Sequence, residues 1–149
     1  MSRYVSLAPF IVCVFAAAAS GALFMPGPWY AGLNKPSSTP PDWLFPIAWT
    51  VLYLMIAIAG WLAWRVGGIG EAVMIWGVGL VINGLWSYFM FGRQDLALAL
   101  VDVTALWLAT AAFIWASWNL EPRAAYIFLP YLVWVSFAGA LNFAVWRMN

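Results

Sequence analysis

The residues in this chain best suited to chemistry are aromatic rather than acidic or basic. Trp49 and Tyr53 stand four apart and share a helical face with Ala57 and Gly60, while Trp134, Ala138, Asn142 and Trp146 recur every four residues. Each face sets broad aromatic surface beside a small residue, which leaves room for a flat, conjugated ligand to stack on indole. A third face carries Asn83 with Trp86, Ser87 and Met90. An amide in hydrocarbon needs a partner, and for Asn83 that partner is either a neighbouring helix or the polar edge of a ligand. Asp102 is the carboxylate that lies well inside an apolar run. Charge at such a position is a functional suspect, although its closeness to the helix start at Asp95 favours a structural polar contact.

Other chemistry is excluded by what the chain lacks. It has no histidine, which removes imidazole-based zinc sites, imidazole general bases and imidazole ligation of haem. A hydrolase triad of Ser, His and Asp cannot be assembled. A proton-coupled drug exporter needs an acidic residue within its early spans, and the first three spans have none before Glu71, which lies at a helix end. Cys13 is the single cysteine, so an intrachain disulfide is impossible. A net charge of +1 without a Lys/Arg cluster gives no electrostatic case for nucleic acid. No metal site and no required cofactor are expected.

The elements that must position these side chains are membrane spans. Two thirds of the 149 residues are hydrophobic and 7% are charged, against about 25% charged in an ordinary soluble domain. Mean hydropathy is +0.92. A span needs roughly 20 apolar residues to cross about 30 Å of hydrocarbon. Breaker clusters divide the chain into five such runs, over residues 4–25, 43–64, 71–91, 96–118 and 124–146, joined by one long loop, 26–42, and three turns. Backbone groups in lipid must be satisfied internally, and the alternation of a barrel strand is absent, so the expected fold is an all-α, five-helix membrane bundle forming a single domain. The first run could instead be a signal peptide, since Ala16 to Ala22 offers small residues after an apolar core. Asp42 and Asp95 are the expected N-caps of the second and fourth spans, with Pro46 in a first turn. Gly67-Gly68-Ile69-Gly70 reads as a turn, because it lacks the Lys and Ser/Thr of a nucleotide loop. Arg3, Arg65 and Arg123 fall on one side of the bilayer and Lys35, Arg93 and Arg147 on the other, so loop charge leaves orientation open.

Twelve tryptophans exceed what two interfacial belts require. Trp43, Trp64, Trp118 and Trp146 lie near span ends and are explained as interface residues; Trp49, Trp86 and Trp134 are not. These positions, with Trp29-Tyr30, Leu33-Asn34-Lys35-Pro36, Pro40-Pro41, Phe45-Pro46, Tyr53, Asn83, Phe89, Pro130-Tyr131, Phe137-Ala138 and Leu141-Asn142, resemble in order and spacing the translocator protein group. That group is also called the tryptophan-rich sensory proteins, or TspO/MBR family, and the bacterial-type members are the better match.

The resemblance implies a homodimeric five-helix bundle that binds tetrapyrroles such as protoporphyrin IX and haem, and in some members sterols and benzodiazepine-type drugs. It also implies a role in porphyrin transport or regulation. The ligand-binding positions carried over are Trp49, Tyr53, Asn83, Trp86, Trp134 and Ala138, beneath a lid that contains Trp29, Tyr30 and Lys35. Porphyrin or haem is then a ligand rather than a cofactor, and a bacterial envelope is the expected setting. Two departures stand out. Ser37-Ser38-Thr39 occupies the stretch where many relatives have a tryptophan, and Leu141, Phe143 and Arg147 lack the tyrosine of the sterol-recognition pattern. Two other function classes compete with a receptor or sensor. One is a porphyrin-degrading enzyme using Trp49 and Trp134 as oxidisable side chains; the other is a regulatory scaffold acting through a protein partner.

Overall fold

The structure is a computed structural model that describes residues 3–149. A turn of 3-10 helix over Arg3–Leu7 leads into α1 (Ala8–Leu23). The long loop holds one short helix, α2 (Pro28–Ala31), and is followed by α3 (Leu44–Gly67), α4 (Glu71–Ser87), α5 (Leu96–Ser117) and α6 (Pro122–Met148). Five of these segments are long and apolar enough to cross a bilayer, and no strand is present among the described residues. The protein is an integral, multi-pass membrane protein of all-α class.

Packing follows from residue size. Lipid tails are as apolar as leucine, so membrane helices associate through close fit and hydrogen bonds rather than by expelling water. Accordingly Ala57, Ala59, Gly60 and Ala63 on α3, Ala99 on α5 and Ala124 and Ala125 on α6 are buried, while Val51, Leu54, Val81, Val101, Leu108 and Val133 face outward. At Gly60 the approach is so close that a Cβ would stand 2.5 Å from the Trp76 ring of α4. That indole is fixed there by donating from Nε1 to the Ile56 carbonyl at 2.8 Å. The α1 helix packs on α3 and α4 as part of the bundle; Ser20 donates to the Gly84 carbonyl, and the Trp61 indole donates to Ser6 at 2.8 Å.

Two helix ends differ from expectation. Asp42 does not cap α3: a turn closed by the Leu44 amide on the Pro41 carbonyl makes Trp43 the N-cap residue, with no side-chain cap. Pro46 in the first turn removes one orphan donor, so the helix starts without a carboxylate. The third span leaves α geometry at Ser87 and ends in a π turn, Tyr88–Gly92. Asp95 caps α5 as expected, accepting from the Leu98 amide at 2.9 Å. The glycine turn also holds, with Gly68 at φ +61°. Of the proposed interface tryptophans, Trp43, Trp118 and Trp146 are exposed, whereas Trp64 is half-buried against Phe10.

Candidate functional site

The site is assembled by α3, α4 and α6 at the end of the bundle that carries the long loop. Trp49 lies just over one turn into α3, and its ring meets that of Tyr53, one turn further on, at 5.3 Å between centroids. Trp134 of α6 approaches Trp49 edge to face, 6.2 Å apart at 90°. Phe45 closes on Trp134 at 5.9 Å, and Tyr131 closes on Trp49 at 6.4 Å. The result is a continuous aromatic wall from two helices. Its one orphan is the Trp134 indole N–H, which is buried without a hydrogen-bond partner. A buried donor left unpaired costs free energy.

Asn83 forms the floor of this wall. Its Oδ1 accepts from the Tyr53 hydroxyl at 3.2 Å and its Nδ2 donates to the Tyr131 hydroxyl at 2.6 Å. One amide thus ties α3, α4 and α6 together, the helix-to-helix role foreseen as one of its two readings; a second Nδ2 proton remains for another acceptor. Trp86, one turn along α4, donates from Nε1 to Asn142 Oδ1 at 3.0 Å, and Asn142 passes the link on to the Leu96 carbonyl at 3.2 Å. Ala138 is half-buried one turn beyond Trp134. Asp102 is buried on α5, and its Oδ2 has no partner, so the expected structural polar contact is not made by that oxygen.

The lid docks through Tyr30. Its ring stands edge-on to Phe91 at 5.5 Å, and Phe91 stands edge-on to Trp86 at 5.5 Å. The π turn is what turns Phe91 toward both rings, in keeping with the frequent use of such turns at functional positions. Burial, and then the nearby Asp42 carboxylate, push the Tyr30 phenol above its ordinary value of 10.0, so the ring stays neutral throughout the physiological range. The Lys35 ammonium lies 4.4 Å from the Tyr30 ring centroid and 3.4 Å from the Leu33 carbonyl. Trp29 is half-exposed on α2.

The geometry therefore brings Trp49, Tyr53, Asn83 and Trp134 into one contiguous group and joins Trp86 to the lid through Phe91. Sequence reasoning missed Phe45, Tyr131 and Phe91 as lining residues. Tyr131 is three before Trp134 and was detectable as its helical neighbour; Phe45 and Phe91 depend on tertiary contact. A separate small void, lined by Leu106, Thr110, Phe113 and Tyr131 among others, touches neither Trp49 nor Trp134.

Fold and site together define a five-span membrane protein with an aromatic wall between its helices and a proline-rich loop at the same end of the bundle. The chain belongs to the TspO/MBR family, whose model matches residues 10–147. It is 40% identical over 147 residues to protein CrtK of Rhodobacter capsulatus, covering 94% of this chain and 89% of that one. It is also 40% identical over 140 residues to the tryptophan-rich sensory protein of Cereibacter sphaeroides, again covering 94% and 89%. The human translocator protein is 37% identical over 152 residues, with 97% and 87% covered. The family match takes in α1 from residue 10, and that helix packs on α3 and α4. Membership supports a membrane sensor or receptor role.

Proposed function

We propose that the protein is a tetrapyrrole receptor of the bacterial envelope, working as a homodimer, with protoporphyrin IX or haem bound against the Trp49 and Trp134 wall. The observation that carries this is the array of Phe45, Trp49, Tyr53, Tyr131 and Trp134 in ring contact, with the Trp134 N–H buried and unpaired. A macrocycle offers the flat π surface that matches the indoles and nitrogen acceptors for the N–H. Because Trp49 and Trp134 already touch at right angles, the macrocycle enters by parting the pair and stacks on one face rather than between two parallel ones. Aromatic contacts contribute roughly 0.5–1.5 kcal/mol each beyond burial, and burial contributes the larger share. Ala138 leaves space for the hydrocarbon edge. Propionates stay at the lid end, where Lys35 supplies a cation.

Sterols and benzodiazepine-type drugs are candidate ligands of the same wall, though the missing tyrosine beside Phe143 argues against a sterol as the main one. With no histidine in the chain, binding needs no axial imidazole, and metal-free porphyrin should bind about as well as haem. Parallel titrations of purified protein with protoporphyrin IX and with haem, followed by absorbance, test this. Similar affinities support the proposal; a strong preference for haem contradicts it.

A further inference from the structure

Among the described residues, the loop is tied to the helices at two well-separated points, one of them beside the aromatic site. At one point Tyr30 rests on Phe91. The other lies at the far end of α6. There the Asn149 side chain accepts from the Asn34 amide at 3.1 Å and donates to the Asn34 carbonyl at 2.9 Å, while the same Nδ2 donates to the Val145 carbonyl at 2.7 Å. One side-chain amide thus closes both backbone groups of a loop residue that no regular element satisfies, as a neighbouring strand would. In return the Asn34 side chain makes one long bond, 3.4 Å to the Met148 carbonyl.

The placement has a consequence for the site. Phe45, in the first turn of α3 just after the loop, packs on Trp134. Trp134 and Met148 are both on α6, separated by about 21 Å at 1.5 Å per residue. With Asn34 held at the end of α6 and Phe45 on Trp134, residues 35–44 connect that end of the helix to the aromatic wall. Asn34 and Asn149 are exposed. Hydrogen bonds there compete with water and open readily, which suits a latch that must release.

We propose that Asn149 is this latch: a positioning residue that holds the lid through the backbone of Asn34, and so sets how fast ligand leaves. The gating half of the proposal rests on the tetrapyrrole site proposed above; the latch itself does not. Because the bonds reach the backbone of Asn34 and the side chain of Asn149, the two asparagines are not equivalent. Asn149→Ala removes three bonds, whereas Asn34→Ala removes one long one.

The test uses full-length protein in detergent or nanodiscs. Amide hydrogen exchange over residues 33–36 is measured without ligand, and protoporphyrin IX dissociation by stopped-flow absorbance. In Asn149→Ala we expect exchange and dissociation each to rise about tenfold, the effect of losing one or two net hydrogen bonds. Asn34→Ala should stay within about twofold of wild type, and Asn149→Asp, which sets a carboxylate oxygen against the Asn34 and Val145 carbonyls, should raise exchange at least as much as Asn149→Ala. Unchanged exchange in Asn149→Ala overturns the latch. Raised exchange with unchanged dissociation overturns its control of ligand release. Lack of saturable porphyrin binding by the wild type sinks the receptor proposal and the gating with it, while exchange still decides the latch.

Discussion

The indole rings of Trp49 and Trp134 meet at right angles, with their centroids 6.2 Å apart. Trp49 comes from the first turns of α3 and Trp134 from the middle of α6, so the contact reports the relative position of two helices at the heart of the site. Edge-to-face packing is favourable in itself, so the two rings hold each other in place. On the proposed tetrapyrrole reading, ligand entry exchanges this contact for stacking on the macrocycle.

Rings held in fixed mutual geometry give strong near-ultraviolet circular dichroism. Trp49→Phe and Trp134→Phe should each reduce that signal more than Trp115→Phe, since Trp115 is 82% exposed. Equal effects at all three positions would mean that the pair is not ordered.

Asn83 holds three helices with one amide. Asn83→Ala should lower unfolding stability in detergent by about 1–2 kcal/mol, the upper range for a hydrogen-bonded side chain between membrane helices. The Tyr131 hydroxyl then stays buried without its 2.6 Å donor. A thermal or denaturant midpoint that does not move would show that the link contributes nothing.

Gly60 and Gly77 make a matched pair. A Cβ at Gly60 would overlap the Trp76 ring at 2.5 Å, whereas one at Gly77 meets nothing within 4 Å. Gly60→Ala should destabilise by about 1–3 kcal/mol through overpacking. Gly77→Ala should be neutral or slightly stabilising, because it removes a flexible residue from a helix interior. Comparable midpoints for the two variants would contradict the close α3–α4 contact.

At the opposite end of the bundle Glu121 caps α6. Its carboxylate takes the Arg123 guanidinium at 2.9 Å and 3.0 Å and the Arg123 amide at 3.3 Å. The guanidinium hydrogen bond is the main cause that holds the Glu121 carboxyl below its ordinary value of 4.5. A depressed carboxyl stabilises the fold above its unfolded pKa, and the contribution fades as pH falls through the lower, folded value. Glu121→Gln should therefore flatten the loss of stability below about pH 4.5. Replacement by Ala should cost about 1 kcal/mol at pH 7, the usual effect of losing an N-cap. An unchanged acid limb in Glu121→Gln would remove Glu121 from the pH response.

The spans were legible because hydrocarbon thickness fixes helix length, and runs of about 20 apolar residues have no other use in a chain with 7% charge. Caps were legible where the chain enters a helix directly, as at Asp95, and not at Asp42, where a turn around Pro41 moves the start. Four-residue spacing picked out Trp49, Tyr53 and Trp134, whose rings the structure brings into contact. It could not recover Phe45, Phe91 or Asn149. Phe91 is aimed by a π turn, which breaks the 3.6-residue period, and Phe45 and Asn149 act only through contacts distant in sequence. For Asn83 the sequence left two readings open, and the helix-to-helix one is realised.

Titration of the purified protein with protoporphyrin IX, comparing wild type with Trp49→Phe, Trp134→Phe and Trp115→Phe, tests the tetrapyrrole site most directly. We expect saturable binding by the wild type and by Trp115→Phe, and affinities about two- to tenfold weaker in the Trp49 and Trp134 variants, the effect of losing one aromatic contact. Binding of equal strength in all four proteins would place the porphyrin elsewhere and contradict the site.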